Sequence, residues 1–243
     1  MPLFKLNTPR ILKYNLTLSG ITIEVERKKI KSIRLSVSPP DGRVRLSAPL
    51  FLKEEDINSF LASKTEWIKK HRESFVNNPH NKPYNYEDGE EHPYLGNFYR
   101  LEVINIKKTA RAEFKDEKIV LYAGGKTSKA ERQKALENFY RKELNKLLPV
   151  VIAKWEVKAG VAVNDYGIKK MKTRWGTCNI RAKRIWLNLE LAKRPLPVIE
   201  YIVLHEIVHL LERGHNKRFK SFMTRFMPEW KEYEKMLKQG VSH

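Results

Sequence analysis

A chain of 243 residues with 41% hydrophobic side chains is long enough to bury a real core, as one large domain or two small ones. It has no run of about 20 apolar residues, which argues against a spanning helix, and its single cysteine, Cys178, rules out an internal disulfide. Lysine and arginine outnumber aspartate and glutamate 48 to 28, and the resulting net charge of +20 favours polyanionic partners without specifying one.

The opening MPLFKLNTPRILKYNL lacks the apolar core and small-residue cleavage site of a secretory signal, so a reducing, cytoplasmic location is expected. From Lys13 to Ala48 the pattern is short and alternating. Leu16-Leu18 and Ile21-Val25 flank a hairpin turn at Ser19-Gly20, and Ile33, Leu35 and Val37 are followed by a turn at Pro39-Pro40-Asp41-Gly42 and by Val44 and Leu46. An antiparallel sheet with one wet face is predicted.

An acidic first turn, Glu54-Glu55-Asp56, then opens a helix on which Ile57, Phe60, Leu61, Trp67, Ile68, His71 and Phe75 share a side. His71 reads as a structural histidine. Asn77 to Gly89, broken by Pro79 and Pro83, reads as a connection, and His80 and His92 fall in loop-like sequence with no chemical role expected. Further strands are predicted at Tyr94, Phe98-Ile106, Arg111-Phe114 and Lys118-Tyr122, turning at Gly96-Asn97 and Asp116-Glu117. No internal repeat is evident in this half. It is read as a β-rich N-terminal region, residues 1–125, that supports a second part or contacts its substrate.

Residues 126–243 carry the chemistry. Ser128 with Glu131 is a capping box opening a long helix on which Leu136, Phe139, Tyr140, Leu144, Leu147 and Leu148 share one face, with Pro149 a point of bending. Its other face, with Lys129, Arg132, Lys134, Arg141, Lys142 and Lys146, is a solvated row and also a candidate nucleic-acid footprint. Strands at Ile168-Met171 and Ile185-Leu191 flank Thr173-Arg174-Trp175-Gly176-Thr177-Cys178.

The stretch Tyr201 to His215, YIVLHEIVHLLERGH, places His205, Glu206 and His209 in an apolar run. Residues four apart on a helix share a face, so His205 and His209 can grip one ion, and a Gly214 in the left-handed conformation would turn the chain so that His215 reaches it. Three imidazoles suit a catalytic Zn2+, which lowers the pKa of a water to about 7, and Glu206 stands beside to take its proton. An unsatisfied imidazole or carboxylate in such an apolar helix would be costly, which argues against a chance occurrence. After His215, Phe219, Phe222, Met223 and Phe226 form a further helical face, and Pro228 opens a last helix through Tyr233 and Leu237.

TRWGTC at 173–178, LNLEL at 187–191, the proline-led YIVLHEIVHL, GHNKRF and MPEWKEYEKML together resemble the YgjP-like metallopeptidases, relatives of the SprT and Spartan proteases. SIRLSVSPPDGRVRLSAPL, SKTEWIKKH and GEEHPYLGNFYRLEV extend the resemblance over nearly the whole chain. The family more often has serine where this chain has Thr173 and Thr177. The resemblance implies an α+β fold with a zincin-like catalytic core, a metal helix packed on a small sheet, in which His205, His209 and His215 bind one zinc ion and Glu206 is the general base.

The function expected is hydrolysis of a polypeptide, with the substrate added as a strand to an edge formed by Ile185-Leu191 near Asn188, and with Arg174 or Tyr233 at the oxyanion. Cys178 is expected to pack. Two alternatives stand beside this: a metal-dependent nucleoside-triphosphate (UTP) pyrophosphatase, an activity attributed to one branch of the family, for which Lys172, Arg174, Arg181 and Lys183 are suitable; and a nucleic-acid-associated zinc protein. Sequence preference and oligomeric state are left open.

Overall fold

The computed structural model describes residues 12–38, 42–76 and 83–239. The predicted turn residues Pro39, Pro40 and Asp41, the opening segment through Ile11, Pro79, His80 and the side chain of Phe75 lie outside the described residues. The chain forms two compact units, Met1–Tyr84 and Asn85–His243.

In the first unit, β1 (Leu12–Leu18) and β2 (Ile21–Lys28) make a hairpin whose turn, Ser19-Gly20, has both φ angles positive, as a two-residue turn of this hand requires. A second hairpin, β3 (Arg34–Ser38) with β4 (Arg43–Pro49), joins it edge to edge to give the order β1-β2-β4-β3. The sheet is not purely antiparallel, because β2 and β4 run parallel, Ile23 opposite Val44. Alternation sends Ile21, Ile23, Val25, Val44 and Leu46 inward, where they meet Ile57, Leu61 and Ile68. Those three come from two helices rather than the one predicted, α1 (Glu54–Ser63) and α2 (Thr65–Val76), separated at Lys64. The His71 ring stacks on Trp67 at 4.0 Å and its Nδ1 lies 2.8 Å from the Trp67 carbonyl oxygen, a structural role.

The second unit begins with the same winding. β5 (Glu91–Tyr94), β6 (Asn97–Ile104), β7 (Arg111–Lys115) and β8 (Lys118–Tyr122) form two hairpins in the order β5-β6-β8-β7, with β6 and β8 parallel. The first hairpin again turns on two residues of positive φ, Leu95 and Gly96. A repeat that no residue pattern announced is therefore present in the topology.

A helix follows, α3 (Lys129–Ala159), 31 residues and about 46 Å long. The predicted capping box holds: Glu131 N–H donates to Ser128 Oγ at 3.3 Å, and Ser128 N–H to Glu131 Oε2 at 2.8 Å. The helix runs through Pro149 and ends at Gly160, φ 67°. Of the six cations proposed as a nucleic-acid footprint, four bind within the unit. Lys129 donates to Asn85, Arg132 to the Tyr86 carbonyl, Arg141 to the Ile168 carbonyl and Lys146 to Glu143.

Beyond α3 come β9 (Asp165–Lys169), β10 (Gly176–Asn179) and β11 (Arg184–Asn188), then α4 (Leu196–Val208), α5 (Lys217–Phe226) and α6 (Trp230–Gln239). The small sheet has the order β10-β11-β9. This corrects the expected edge: β11, within the predicted Ile185-Leu191 strand, is central, paired antiparallel to β10 and parallel to β9. The free edge beside α4 is β10, inside the TRWGTC stretch.

The expected boundary at residue 125 also moves. Tyr94, Leu101, Ile119 and Leu121 share one core with Phe139, Leu144, Ile185 and Val198, so β5 to β8 belong to the second unit. Leu95 N–H donates to the Ala192 carbonyl at 2.9 Å, and a Cβ on Gly96 would lie 2.6 Å from Pro195 Cγ. The hairpin tip thus rests on Pro195, the residue that caps α4. The unit is α+β, and no helix of the described residues is long and apolar enough to cross a membrane.

Candidate metal centre

α4 is apolar on nearly every side: Val198, Ile199, Ile202, Val203, Leu204, Ile207 and Val208 are all buried. Such a helix belongs in a core rather than on a surface. Its last turn carries His205 and Glu206, and His209 is its C-terminal cap. The reversal that follows does not use a left-handed Gly214. Backbone bonds from Leu210 N–H to the Ile207 carbonyl and from Leu211 and Glu212 N–H to the Val208 carbonyl close a turn first, and Gly214 is absent from the positive-φ residues.

This turn brings His215 back. One ligand-capable atom from each of His205, His209 and His215 lies within 4.8 Å of the others, and the Nε2 atoms of His205 and His215 are 2.9 Å apart. Nitrogens held at ~2.0–2.1 Å around a tetrahedral zinc stand roughly 3.3 Å from one another, so the donor set fits such an ion with small side-chain adjustments. His209 Nδ1 lies 3.2 Å from the Glu212 carbonyl and donates to it, which leaves Nε2 to face the other rings. Burial, and then the neighbouring imidazoles of His209 and His215, push His205 down to about 3, and burial also lowers His209. Both rings are neutral at pH 7, the form that ligates metal.

Sequence reasoning passed over Phe219 as a member of this site. Its buried ring sits 4.9 Å from His205, 4.9 Å from His209 and 4.8 Å from His215, centroid to centroid, and forms the apolar floor of the cluster. α5 places it there: Asn216 caps that helix by accepting from Phe219 N–H at 3.1 Å, one residue after the third histidine. Its only signal in the sequence was its spacing on the α5 face.

Glu206 is 5% exposed, and burial pushes its carboxyl up to about 8, opposed by the positive charge of Arg174. It lies against the start of β10. A Cβ built on Gly176 would stand 2.6 Å from Glu206 Oε1, 2.7 Å from Cγ and 2.8 Å from Cδ, closer than any real side chain tolerates. A side chain at 176 would therefore displace the carboxylate. Cys178, half-buried, is pushed up to about 11 by burial and then by Glu206; it remains a thiol and packs, as expected.

The residues expected at the substrate are distributed differently. Arg174 is exposed and reaches Glu206 through its charge. Asn188 is buried and fully engaged: its Oδ1 accepts from Met171 N–H and Glu190 N–H, and its Nδ2 donates to the Met171 and Arg174 carbonyls at 3.0 and 2.7 Å. It fixes the loop that leads into β10. Tyr233 is half-buried on α6 against the core, and among the described residues its hydroxyl has no hydrogen bond to the triad.

Comparison with known proteins agrees with this chemistry. A family model described as YgjP-like, metallopeptidase domain, matches residues 31–240. Among solved structures, the metallopeptidase zymogen of Pyrococcus abyssi abylysin is similar at 18% identity and TM-score 0.36, covering 38% of this chain and 93% of that one. The zymogen of Methanocaldococcus jannaschii jannalysin is similar at 19% identity and TM-score 0.35, covering 39% and 96%. Likenesses this slight carry no argument, and no curated protein matches the chain. The family match spans far more than half of the sequence and includes every residue of the histidine cluster, so the chain belongs to the YgjP-like metallopeptidase family.

Proposed function

We propose that the chain is a zinc peptidase with a zincin-like core, in which His205, His209 and His215 hold one Zn2+ and Glu206 is the general base. The observation that carries this is the convergence of three imidazoles beside one buried carboxylate. Bound zinc supplies Lewis acidity toward a carbonyl and makes a water acidic near neutral pH.

The remaining work falls to the chain. Glu206 takes the proton of the attacking water and passes it to the leaving amine. Burial, against the positive charge of Arg174, raises its pKa to about 8, and a divalent charge held by the triad would draw it down toward the base form at pH 7. Gly176 leaves room for the carboxylate, and Arg174, whose charge reaches Glu206, meets the oxyanion. The backbone of β10, unpaired on one side among the described residues, accepts an extended polypeptide as a further strand.

The test is to compare the zinc-loaded protein with Glu206→Gln on an unfolded polypeptide and on UTP. The variant should keep one zinc per chain and lose about 10³-fold or more in peptide cleavage. Hydrolysis of UTP with no cleavage of any polypeptide would overturn the reading in favour of a pyrophosphatase, and equal activity of both forms would assign the activity to a contaminant.

A further inference from the structure

Two stretches beside the triad carry positive charge with no carboxylate of their own. From Tyr166 to Arg184 there are seven lysines and arginines and no carboxylate, and from Arg213 to Pro228 five and none. These are the two stretches that frame the site: one contains β10, whose Gly176 abuts Glu206, and the other contains His215 and Phe219.

Part of this charge is met inside the unit. Lys170 pairs with Glu137 at 2.6 Å, Arg184 with Asp165 at 2.8 Å and Arg218 with Glu212 at 4.0 Å, while Lys169 lies 3.8 Å over the Trp186 ring. Lys172, Arg174, Arg181, Lys183, Lys217 and Lys220 are exposed and have no carboxylate within ion-pair distance among the described residues. On the outer face of the first sheet, by contrast, Arg43 and Arg45 pair with Glu24, and Lys13 and Lys28 with Glu26.

The start of α5 shows the same bias against local interest. It reads Lys217-Arg218-Phe219-Lys220, with no acidic residue in its first turn. Cations at a helix N-terminus face the positive end of the macrodipole, which disfavours them there. A local rule broken at the start of α5, just after His215 and the Asn216 cap, marks a site that expects negative charge from outside.

We infer that the site selects acidic polypeptides, with Asp or Glu residues flanking the scissile bond set against Lys172 and Arg174 beside β10 and against Lys217 and Lys220 at the start of α5. This rests on the peptidase reading and names its substrate class. A polypeptide is favoured over a nucleic acid because the cations border the edge strand β10, which an extended backbone can join. Exposed ion pairs are each weak, and two or three of them amount to roughly tenfold in kcat/KM.

The experiment uses zinc-loaded enzyme on peptides of equal length whose flanking residues are Glu, Gln or Lys. The Glu peptide should lead the Gln peptide by about tenfold in kcat/KM, expressed in KM, and the lead should shrink to about twofold in ~0.5 M salt. A Lys217→Glu/Lys220→Glu variant, verified by its zinc content, should turn the preference toward the Lys peptide. In parallel, zinc-loaded Glu206→Gln is titrated with a labelled acidic peptide and with an oligonucleotide of equal charge. Equal cleavage of all three peptides overturns the inference and leaves the peptidase reading standing. Binding of the oligonucleotide but not the peptide overturns it in favour of a nucleic-acid surface. If no peptide is cleaved at all, the peptidase reading falls, and the acidic-ligand inference is judged on the binding titration alone.

Discussion

The two four-stranded sheets of this protein are wound alike and used differently. In β1 to β4 the first hairpin ends at Gly20, where an added Cβ would meet nothing within 4 Å; in β5 to β8 the equivalent hairpin ends at Gly96, pressed on Pro195 at the head of α4. The same topology is free-standing at its tip in one unit and serves as a seat for the metal helix in the other. Topology did not assign this function. Contacts at one turn did, in keeping with the rule that chemistry is grafted onto folds.

Glycine exchanges probe that difference most sharply. Gly176→Ala, which drives a methyl into the Glu206 carboxylate, should lower peptide cleavage by about 10²–10³-fold with zinc content retained. Gly42→Ala in the first unit, where a Cβ would meet Arg72 at 3.2–3.3 Å, should leave cleavage within about twofold; kinetics with metal analysis on both variants measures the contrast. Next in size is stability. Gly20 and Gly96 both have positive φ, so alanine at either costs about 1 kcal/mol, but at Gly96 it also strikes Pro195, for a total of about 3 kcal/mol. Urea midpoints that fell equally for both would dissolve the distinction between free and seated tips.

The smallest effect concerns His92, on β5, 1% exposed and read from sequence as a loop residue. Burial pushes its ring down to about 4 from the usual 6.5, against the opposing pull of Glu90 at 3.2 Å, with Lys193 adding to the lowering. Between these pH values the unfolded chain takes a proton that the folded unit does not. Stability present above pH 6.5 is therefore lost progressively as the pH falls toward 4. His92→Gln should flatten that part of a stability-against-pH curve, and an unchanged slope would mean that the ring charges freely in place.

Much of this was legible in sequence where the cause is local. The Ser128 capping box, the turns at Ser19-Gly20 and Asp116-Glu117, and the His205-Glu206-His209 helix all depend on residues within a few positions of one another. What could not be read depends on distant partners. β10 is four residues long, begins with glycine and shows no sustained alternation, so no strand is predicted there, and the central strand β11 was mistaken for the edge. The reason for Gly176 lies 30 positions away in Glu206, and Phe219 was visible only as one more apolar residue on a helix. The domain boundary was misplaced because a shared core, rather than a change in composition, holds β5 to β8 to α3 and α4.

Phe219 ties two segments together that the backbone alone barely joins. An ion held by the imidazoles, as proposed, would also clasp the head of α5 to the tail of α4, and through Met223, buried on the same helix, to the packing behind it. Its loss would then unfasten a corner of the architecture as well as the chemistry, and metal supply would help to determine how long the folded chain survives.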